Sequence, residues 1–220
     1  MTQRYLDDGW QVTGVSRGAA ACVNPRYTHL RCPDFSAAPL SKRLGAHLNN
    51  ARSPYGAFIH AAATDAGVGP IDSLTDAAWD LNWSINVRAA ATILRHLLPG
   101  MKAKGGAVVL VSSQGAEMPL RYLGPYCVTK AALSHMARCY AAELRAAPVT
   151  VNAVGVTFEG GVNAKHRRHK VDLNLRRSAA AGTASYPDVA ENLALFEMLT
   201  SPEARHISGQ YIEAHRGQAT

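Results

Sequence analysis

Continuous apolar runs alternate with helical patterns along most of the chain. The run at 107–111, Ala-Val-Val-Leu-Val, contains no polar residue, and the segment Val149–Val156 is mostly apolar. Strands that are apolar on both faces are typical of parallel sheets covered by helices on both sides. Further strands are predicted at 10–16, 28–32, 55–62, 106–113 and 210–214, and helices at 38–50, 75–98, 125–146 and 187–200. The pattern predicts one α/β domain over residues 1–220, with a doubly wound parallel sheet in three layers.

Composition and charge exclude several classes of protein. No apolar run approaches the roughly 18 residues of a membrane span, and no basic start followed by an apolar core suggests a signal peptide. The net charge is +7, but the basic residues are scattered outside one loop, which argues against nucleic acid and for a negatively charged substrate or partner. Four cysteines without a Cys-x-x-Cys pair indicate free thiols in a reducing cytoplasm.

Tyr126 and Lys130 are four residues apart in a helical stretch and therefore lie on one helix face. A phenol ordinarily titrates near pH 10, and a nearby ammonium favours the phenolate. The hydroxyl of Ser113, upstream at the end of a predicted strand, could hold a substrate carbonyl or alcohol in line with the tyrosine. These residues predict a general acid/base site.

The residues Val-Ser-Ser at 111–113 and Tyr-x-x-x-Lys at 126–130 make the stretch 108–144 resemble the short-chain dehydrogenase/reductase family. In that family a serine lies thirteen positions before the tyrosine, which selects Ser113 over Ser112. The resemblance implies that Tyr126 is the acid/base, that Ser113 orients the substrate, and that Lys130 lowers the pKa of the tyrosine. The fold it implies is Rossmann-like.

The same resemblance extends to Asn86, which stands in an Ile-Asn-Val segment at 85–87. The family has an asparagine in a similar short motif of the preceding helix. By resemblance, Asn86 is the fourth catalytic residue and holds a water for proton relay.

The resemblance is incomplete in the segment that binds the cofactor in the family. The family opens with a strand and a glycine-rich turn that meets the cofactor pyrophosphate, whereas this sequence begins at a segment that aligns with the end of the following helix. The first strand is central in such sheets, so we expect an unpaired gap. Either another segment fills that gap, or the sequence is a fragment of a longer chain.

Other cofactor positions are partly retained by resemblance. Ser16 and Arg17 follow the first predicted strand, where NADP-preferring members place an arginine for the 2′-phosphate. Asp34 stands where the family aspartate meets the adenine, and Ala62 lies in the segment His-Ala-Ala-Ala at 60–63, where the family has Asn-Asn-Ala-Gly. The resemblance therefore implies either an NADP(H) site with a degraded pyrophosphate end or no cofactor at all.

The residues 158–185 form a basic loop that by resemblance closes over the substrate. Lys165, Arg167 and Arg168 are candidate ligands for a phosphate, a carboxylate, coenzyme A or an acidic carrier protein. A solvated loop is the alternative interpretation. The interspersed histidines His166 and His169 lack further ligands, so we expect no metal.

Three functions remain open at this point. The first is NADP-linked reduction of a carbonyl or oxidation of an alcohol. The second is redox-neutral chemistry by the same acid/base group, as in a dehydratase, isomerase, aldol-type lyase or cyclase. The third is a partner subunit in a homo- or hetero-oligomer of similar chains.

Overall fold

The computed structural model describes residues 1–48, 55–156 and 189–214. All strand pairs in this part of the chain are parallel, and helices cover them, which confirms the predicted Rossmann-like α/β fold. The strands are β1 Val12–Ser16, β2 Tyr27–Arg31, β3 Ala57–His60, β4 Gly106–Ser113, β5 Val149–Val156 and β6 Tyr211–Ala214. The helices are α1 Thr2–Asp7, α2 Ala37–Leu48, α3 Asp76–Trp83, α4 Ala89–Lys104, α5 Gly124–Glu143 and α6 Val189–Thr200.

The described strands form two separate sheets. One contains β1 and β2, and the other has the order β3-β4-β5-β6. The single doubly wound sheet predicted from the sequence is therefore divided between β1 and β3 in the described residues, and an unpaired gap was expected from the resemblance.

One hydrophobic core joins the two sheets in spite of this division. Val108 and Val151 of the four-stranded sheet belong to a buried cluster. Val15 and Leu30 of the two-stranded sheet pack against that cluster. Helices α2 and α4 pack against each other and supply Leu40, Leu44, Ile93, Leu94 and Leu97 to that cluster. Helix packing thus replaces strand pairing as the link between the sheets.

The long helix before β4 departs from the sequence prediction in two ways. Between α3 and α4 the chain forms a π-helical segment, Ser84–Arg88, instead of continuous α-helix. The helix also continues past Pro99 to Lys104, where Gly105 ends it with φ +90°. Proline removes one backbone donor but is tolerated here, and glycine adopts the left-handed conformation that stops the helix. At the start, Thr75 accepts a hydrogen bond from the Ala78 amide at 3.3 Å, which confirms the predicted cap.

Among the described residues, no helix is both long and apolar enough to cross a bilayer.

The packing of α2 against α4 can be tested with Leu40→Ala. Leu40 is fully buried in the cluster that joins the sheets, so truncation should lower the free energy of unfolding by about 2–5 kcal/mol. Leu81→Ala is the matched control, because Leu81 is 46% exposed and its truncation should change stability by no more than about 0.5 kcal/mol. Urea denaturation followed by circular dichroism gives both values, and equal losses would contradict this account of the core.

Candidate active site

Helix α5 carries Tyr126 into the interior at its first turn. Pro125 stands at the start of the helix, where its missing backbone donor is not needed, and the Tyr126 ring is 7% exposed. The phenol faces Ser113, at the carboxyl end of β4, closely enough for the serine hydroxyl to lower the pKa of Tyr126. The structure thus brings together the two residues that the sequence places thirteen positions apart.

Ser113 is held by contacts on both its side chain and its backbone. Its hydroxyl accepts a hydrogen bond from the Gly115 amide at 3.1 Å, and its carbonyl accepts one from the Tyr211 hydroxyl at 3.1 Å. Tyr211 lies on β6, and a side chain at Gly155 of β5 would overlap the hydroxyl oxygen of Tyr211. Sequence reasoning missed Tyr211, which pairs with Ala153 and whose ring reaches over Gly155, two residues further along β5.

Lys130 is almost completely buried one turn after Tyr126. Its Nζ donates to the carbonyl of Val111 at 2.7 Å and lies 5.7 Å from the centre of the Tyr126 ring. Burial lowers the pKa of Lys130 to about 8, so the ammonium form still predominates at neutral pH. The lysine therefore provides a positive charge beside the phenol.

The phenol of Tyr126 does not have the lowered pKa that its spacing from Lys130 predicts. Burial raises the pKa of Tyr126, and the hydrogen bond with Ser113 lowers it in part. The difference arises because an enclosed phenolate loses its hydration, while the Lys130 charge is directed to the Val111 carbonyl. In this state Tyr126 is a protonated phenol and suited to act as an acid.

Asn86 lies in the π-helical segment and is completely buried. Its Oδ1 accepts from the Thr64 amide at 2.8 Å, and its Nδ2 donates to the Thr64 carbonyl and the Thr129 hydroxyl, both at 2.9 Å. These bonds tie the segment that follows β3 to helix α5 beside Tyr126. π-helical segments often occur at functional sites. The predicted water relay remains a prediction.

His60, at the end of β3, is a second residue that sequence reasoning did not place in the site. Its side chain is 2% exposed and hydrogen-bonds to the backbone of Ile85 and Asn86. Burial, followed by the charge of Lys130, lowers the pKa of His60 to about 4, so the ring is neutral at pH 7. Its Nε2 is buried and has no hydrogen-bond partner among the described residues.

The residues predicted for the cofactor occupy the neighbouring edge. Arg17 is exposed, and it lines a cavity of about 530 Å³ between β1 and β3 together with Ser16 and Ala62. The Ser16 hydroxyl, however, hydrogen-bonds with the His29 ring at 2.9 Å. The cavity also reaches His60 of β3 and Ile93 of α4, whereas Ser113, Tyr126 and Lys130 do not line it.

Asp34 is committed to a local turn. Its carboxylate accepts hydrogen bonds from the Ser36 amide at 2.7 Å and the Ser36 hydroxyl at 2.8 Å, and these lower its pKa. This geometry orders the chain before α2. A contact between Asp34 and adenine remains a prediction that would have to share the carboxylate with Ser36.

The three basic candidates Lys165, Arg167 and Arg168, like the whole substrate loop 158–185, lie outside the described residues. In the described ranges, no group of three or more His, Cys, Asp or Glu side chains is placed to hold a metal ion.

Comparison with known sequences matches most of the chain. A family model described as "Enoyl-(Acyl carrier protein) reductase" matches residues 42–218. The human mitochondrial dehydrogenase/reductase SDR family member 2 is 32% identical over 153 residues, which cover 67% of this chain and 54% of that protein. The chain spans about half to two thirds of the length of the first curated relatives it matches.

Comparison with solved structures supports the same architecture. The 3-ketoacyl-(acyl-carrier-protein) reductase of Brucella melitensis, complexed with NADH, gives a TM-score of 0.83 at 21% identity and covers 100% of this chain and 92% of that chain. A variant of the actinorhodin polyketide ketoreductase with NADPH gives a TM-score of 0.76 at 21% identity, covering 86% of this chain and 77% of that one. At these identities the likeness shows the fold.

The buried ammonium of Lys130 predicts how stability changes with pH. Its pKa is about 8 in the folded protein against an ordinary 10.5, so the unfolded chain binds more protons between these values. Stability should therefore gain up to about 3 kcal/mol from this group as the pH rises from 8 to 10.5, and nothing from it below pH 8. Lys130→Met should remove that gain. Urea denaturation of the wild-type protein and the variant from pH 8 to 10.5 gives the difference in the free energy of unfolding. Parallel pH profiles would contradict a buried, partly desolvated lysine.

Proposed function

The chain belongs to the short-chain dehydrogenase/reductase family, and from this we propose that it transfers hydride between NADP(H) and a carbonyl or secondary alcohol. The observation that carries the proposal is the enclosed contact between Ser113 and Tyr126, with the Lys130 ammonium 5.7 Å from the phenol ring. This arrangement supplies a positioned proton donor and a hydroxyl for one substrate oxygen.

The residues present fit a nicotinamide dinucleotide at its adenosine end. Arg17 is exposed at the carboxyl end of β1, and its guanidinium has no ion-pair partner among the described residues. A guanidinium recognises a phosphate through two parallel hydrogen bonds, which favours NADP(H) over NAD(H). When bound, the nicotinamide would supply or accept the hydride. Arg17 and Ala62 are the chain's candidates for holding the cofactor.

Each catalytic side chain has a separate task in the proposed reaction. The Ser113 hydroxyl hydrogen-bonds to the substrate oxygen and directs it toward Tyr126. In reduction, the Tyr126 hydroxyl gives its proton to that oxygen as hydride reaches the carbonyl carbon; in oxidation, the phenolate accepts the proton. The Lys130 ammonium stabilises the phenolate that remains after reduction, because opposite charges attract strongly in a site with little water.

We propose a substrate carbonyl that carries a negative charge or is attached to a carrier. The net charge of +7 favours an anionic substrate. The description of the matching family model also names an acyl carrier protein. The candidates for the anion are Lys165, Arg167 and Arg168, in the loop that the sequence predicts to close over the substrate.

Redox-neutral acid/base catalysis is the second candidate. The observation in its favour is that Tyr126, Ser113 and Lys130 already form a buried proton-transfer group within the described residues. Dehydration, isomerisation, aldol-type cleavage or cyclisation next to a carbonyl would need only this group. Turnover of a substrate without consumption of NADPH would distinguish this function from hydride transfer.

The proposal is tested by Tyr126→Phe. Loss of the phenolic proton should lower kcat for NADPH-dependent carbonyl reduction by about 10²–10⁴-fold and leave the dissociation constant of NADPH nearly unchanged. Tyr140→Phe, on the same helix and half-buried, is the matched control and should retain activity. Turnover by Tyr126→Phe at the rate of the control would contradict the assignment.

A further inference from the structure

The hydroxyl of Ser113 has to point in one direction if it is to hold a substrate oxygen in line with Tyr126. A serine Oγ carries one proton and two lone pairs, and one lone pair here accepts from the Gly115 amide at 3.1 Å. This bond closes a short turn between the serine side chain and the backbone two residues later. The direction left for the proton therefore depends on how Ser113 and Gly115 are held relative to each other.

The Gly115 end of this turn is packed against the helix that carries Tyr126. Gly115 is buried, and a Cβ added to it would lie 3.1 Å from the Leu120 Cδ1 and 3.3 Å from the Cys127 Sγ. Cys127 follows Tyr126 on α5. This packing fixes the Gly115 amide relative to the phenol.

The Ser113 end of the turn is held by Tyr211. The Ser113 carbonyl belongs to the peptide unit that leads to Gln114, and its direction is set by the ψ angle of Ser113, which is 155°. The Tyr211 hydroxyl donates to this carbonyl at 3.1 Å. Rotation about ψ would break that bond and would also move the Gly115 amide away from the serine Oγ. The bond from Tyr211 therefore stabilises the turn that directs the Ser113 hydroxyl.

Tyr211 is itself placed by the register of β6 on β5. It pairs with Ala153, whose amide donates to the Gln210 carbonyl at 2.8 Å. The buried Asn152 side chain reinforces this register, because its Nδ2 donates to the Ile207 carbonyl at 2.7 Å and its Oδ1 accepts from the Gln210 amide at 3.1 Å. The hydroxyl of Tyr211 consequently reaches the end of β4 from a fixed position.

The surroundings of Tyr211 keep its hydroxyl a donor. The ring packs against the hydrophobic core, and its oxygen occupies the space that a side chain at Gly155 would fill. Burial raises the pKa of Tyr211 well above its usual value, and the charges of Glu213 and Glu117 raise it further. Across the neutral range the phenol therefore remains protonated and able to donate to Ser113.

We infer that Tyr211 is a positioning residue, whose hydrogen bond to the Ser113 carbonyl directs the Ser113 hydroxyl toward the oxygen that Tyr126 protonates. Tyr211 acts through Ser113 rather than on the substrate. Its effect on the rate rests on the proposed function, whereas its effect on the turn at Ser113 does not.

Tyr211→Phe tests the inference, because it keeps the ring over Gly155 and removes only the hydroxyl. Misorientation of Ser113 should lower kcat for NADPH-dependent carbonyl reduction about tenfold and leave the dissociation constant of NADPH unchanged. Tyr27→Phe is the matched control. Tyr27 of β2 reaches over Gly14 of β1 in the same way but lies in the other sheet, so this variant should keep the wild-type kcat.

A double-mutant cycle with Ser113→Ala separates positioning from general stabilisation of the fold. If Tyr211 acts through Ser113, Tyr211→Phe should cause no more than about a twofold further loss of kcat once the Ser113 hydroxyl is absent. A residue that only stabilises the fold would lower kcat by the same factor in both backgrounds.

Amide exchange followed by NMR tests the turn without any substrate. In Tyr211→Phe, exchange at the Gly115 amide should be about three- to tenfold faster than in the wild-type protein and in Tyr27→Phe, because one hydrogen bond that stabilises the turn is lost. The Ala153 amide, bonded to Gln210, should exchange at an unchanged rate and thus report that β6 remains paired.

Three results would overturn the inference. They are a kcat of Tyr211→Phe equal to that of Tyr27→Phe, an equal loss of kcat with and without the Ser113 hydroxyl, and unchanged exchange at Gly115. Absence of hydride transfer in the wild-type protein would instead overturn the proposed function, and exchange at Gly115 would then decide alone whether Tyr211 holds the turn.

Discussion

The buried ammonium of Lys130 is the interaction on which the candidate site depends. A charge so fully enclosed must be stabilised by the chain itself, and its Nζ donates to the Val111 carbonyl of β4 at 2.7 Å. On the same helix, the Lys130 carbonyl accepts from Ser112, whose hydroxyl also contacts Ser134 at 2.7 Å. These bonds fix the register of α5 against β4, and that register sets the Tyr126 phenol beside Ser113.

A second constraint is the missing pairing between β1 and β3. Parallel strands normally gain both their backbone hydrogen bonds and their apolar contacts from two neighbours. In the described residues, the two sheets instead depend on the packing of α2 against α4 and on the Thr13–Tyr55–His47 hydrogen bonds. The candidate residues Ser113, Tyr126 and Lys130 lie on the four-stranded sheet and its helix α5, whereas Arg17 follows β1 of the two-stranded sheet. The placement of Arg17 relative to Tyr126 therefore depends on this helix packing and these hydrogen bonds.

Much of this arrangement could be predicted from the sequence. Apolar runs predicted the parallel strands, and the spacing of Ser113, Tyr126 and Lys130 predicted three residues that the structure brings together, because these signals are local. The resemblance, in which the first strand is central, also predicted an unpaired gap, and the structure shows the division between β1 and β3.

Features that depend on long-range packing could not be predicted. The π-helical turn that aims Asn86 at Thr64 has no distinct sequence signature, and Tyr211 reaches Ser113 only after β6 pairs with β5. The direction of the pKa shift of Tyr126 follows from its burial, which spacing along a helix does not reveal. Asp34 has a residue type suited to both adenine contact and a turn, and only the structure shows the turn with Ser36.

The most direct test of the account is deuterium transfer from NADPH labelled at the nicotinamide C4 to a panel of carbonyl substrates, followed by mass spectrometry of the alcohol. Hydride transfer assisted by Tyr126 predicts one deuterium on the carbinol carbon for each NADPH consumed. Conversion of a carbonyl substrate without NADPH consumption and without deuterium in the product would contradict it, and would assign the site to redox-neutral proton transfer.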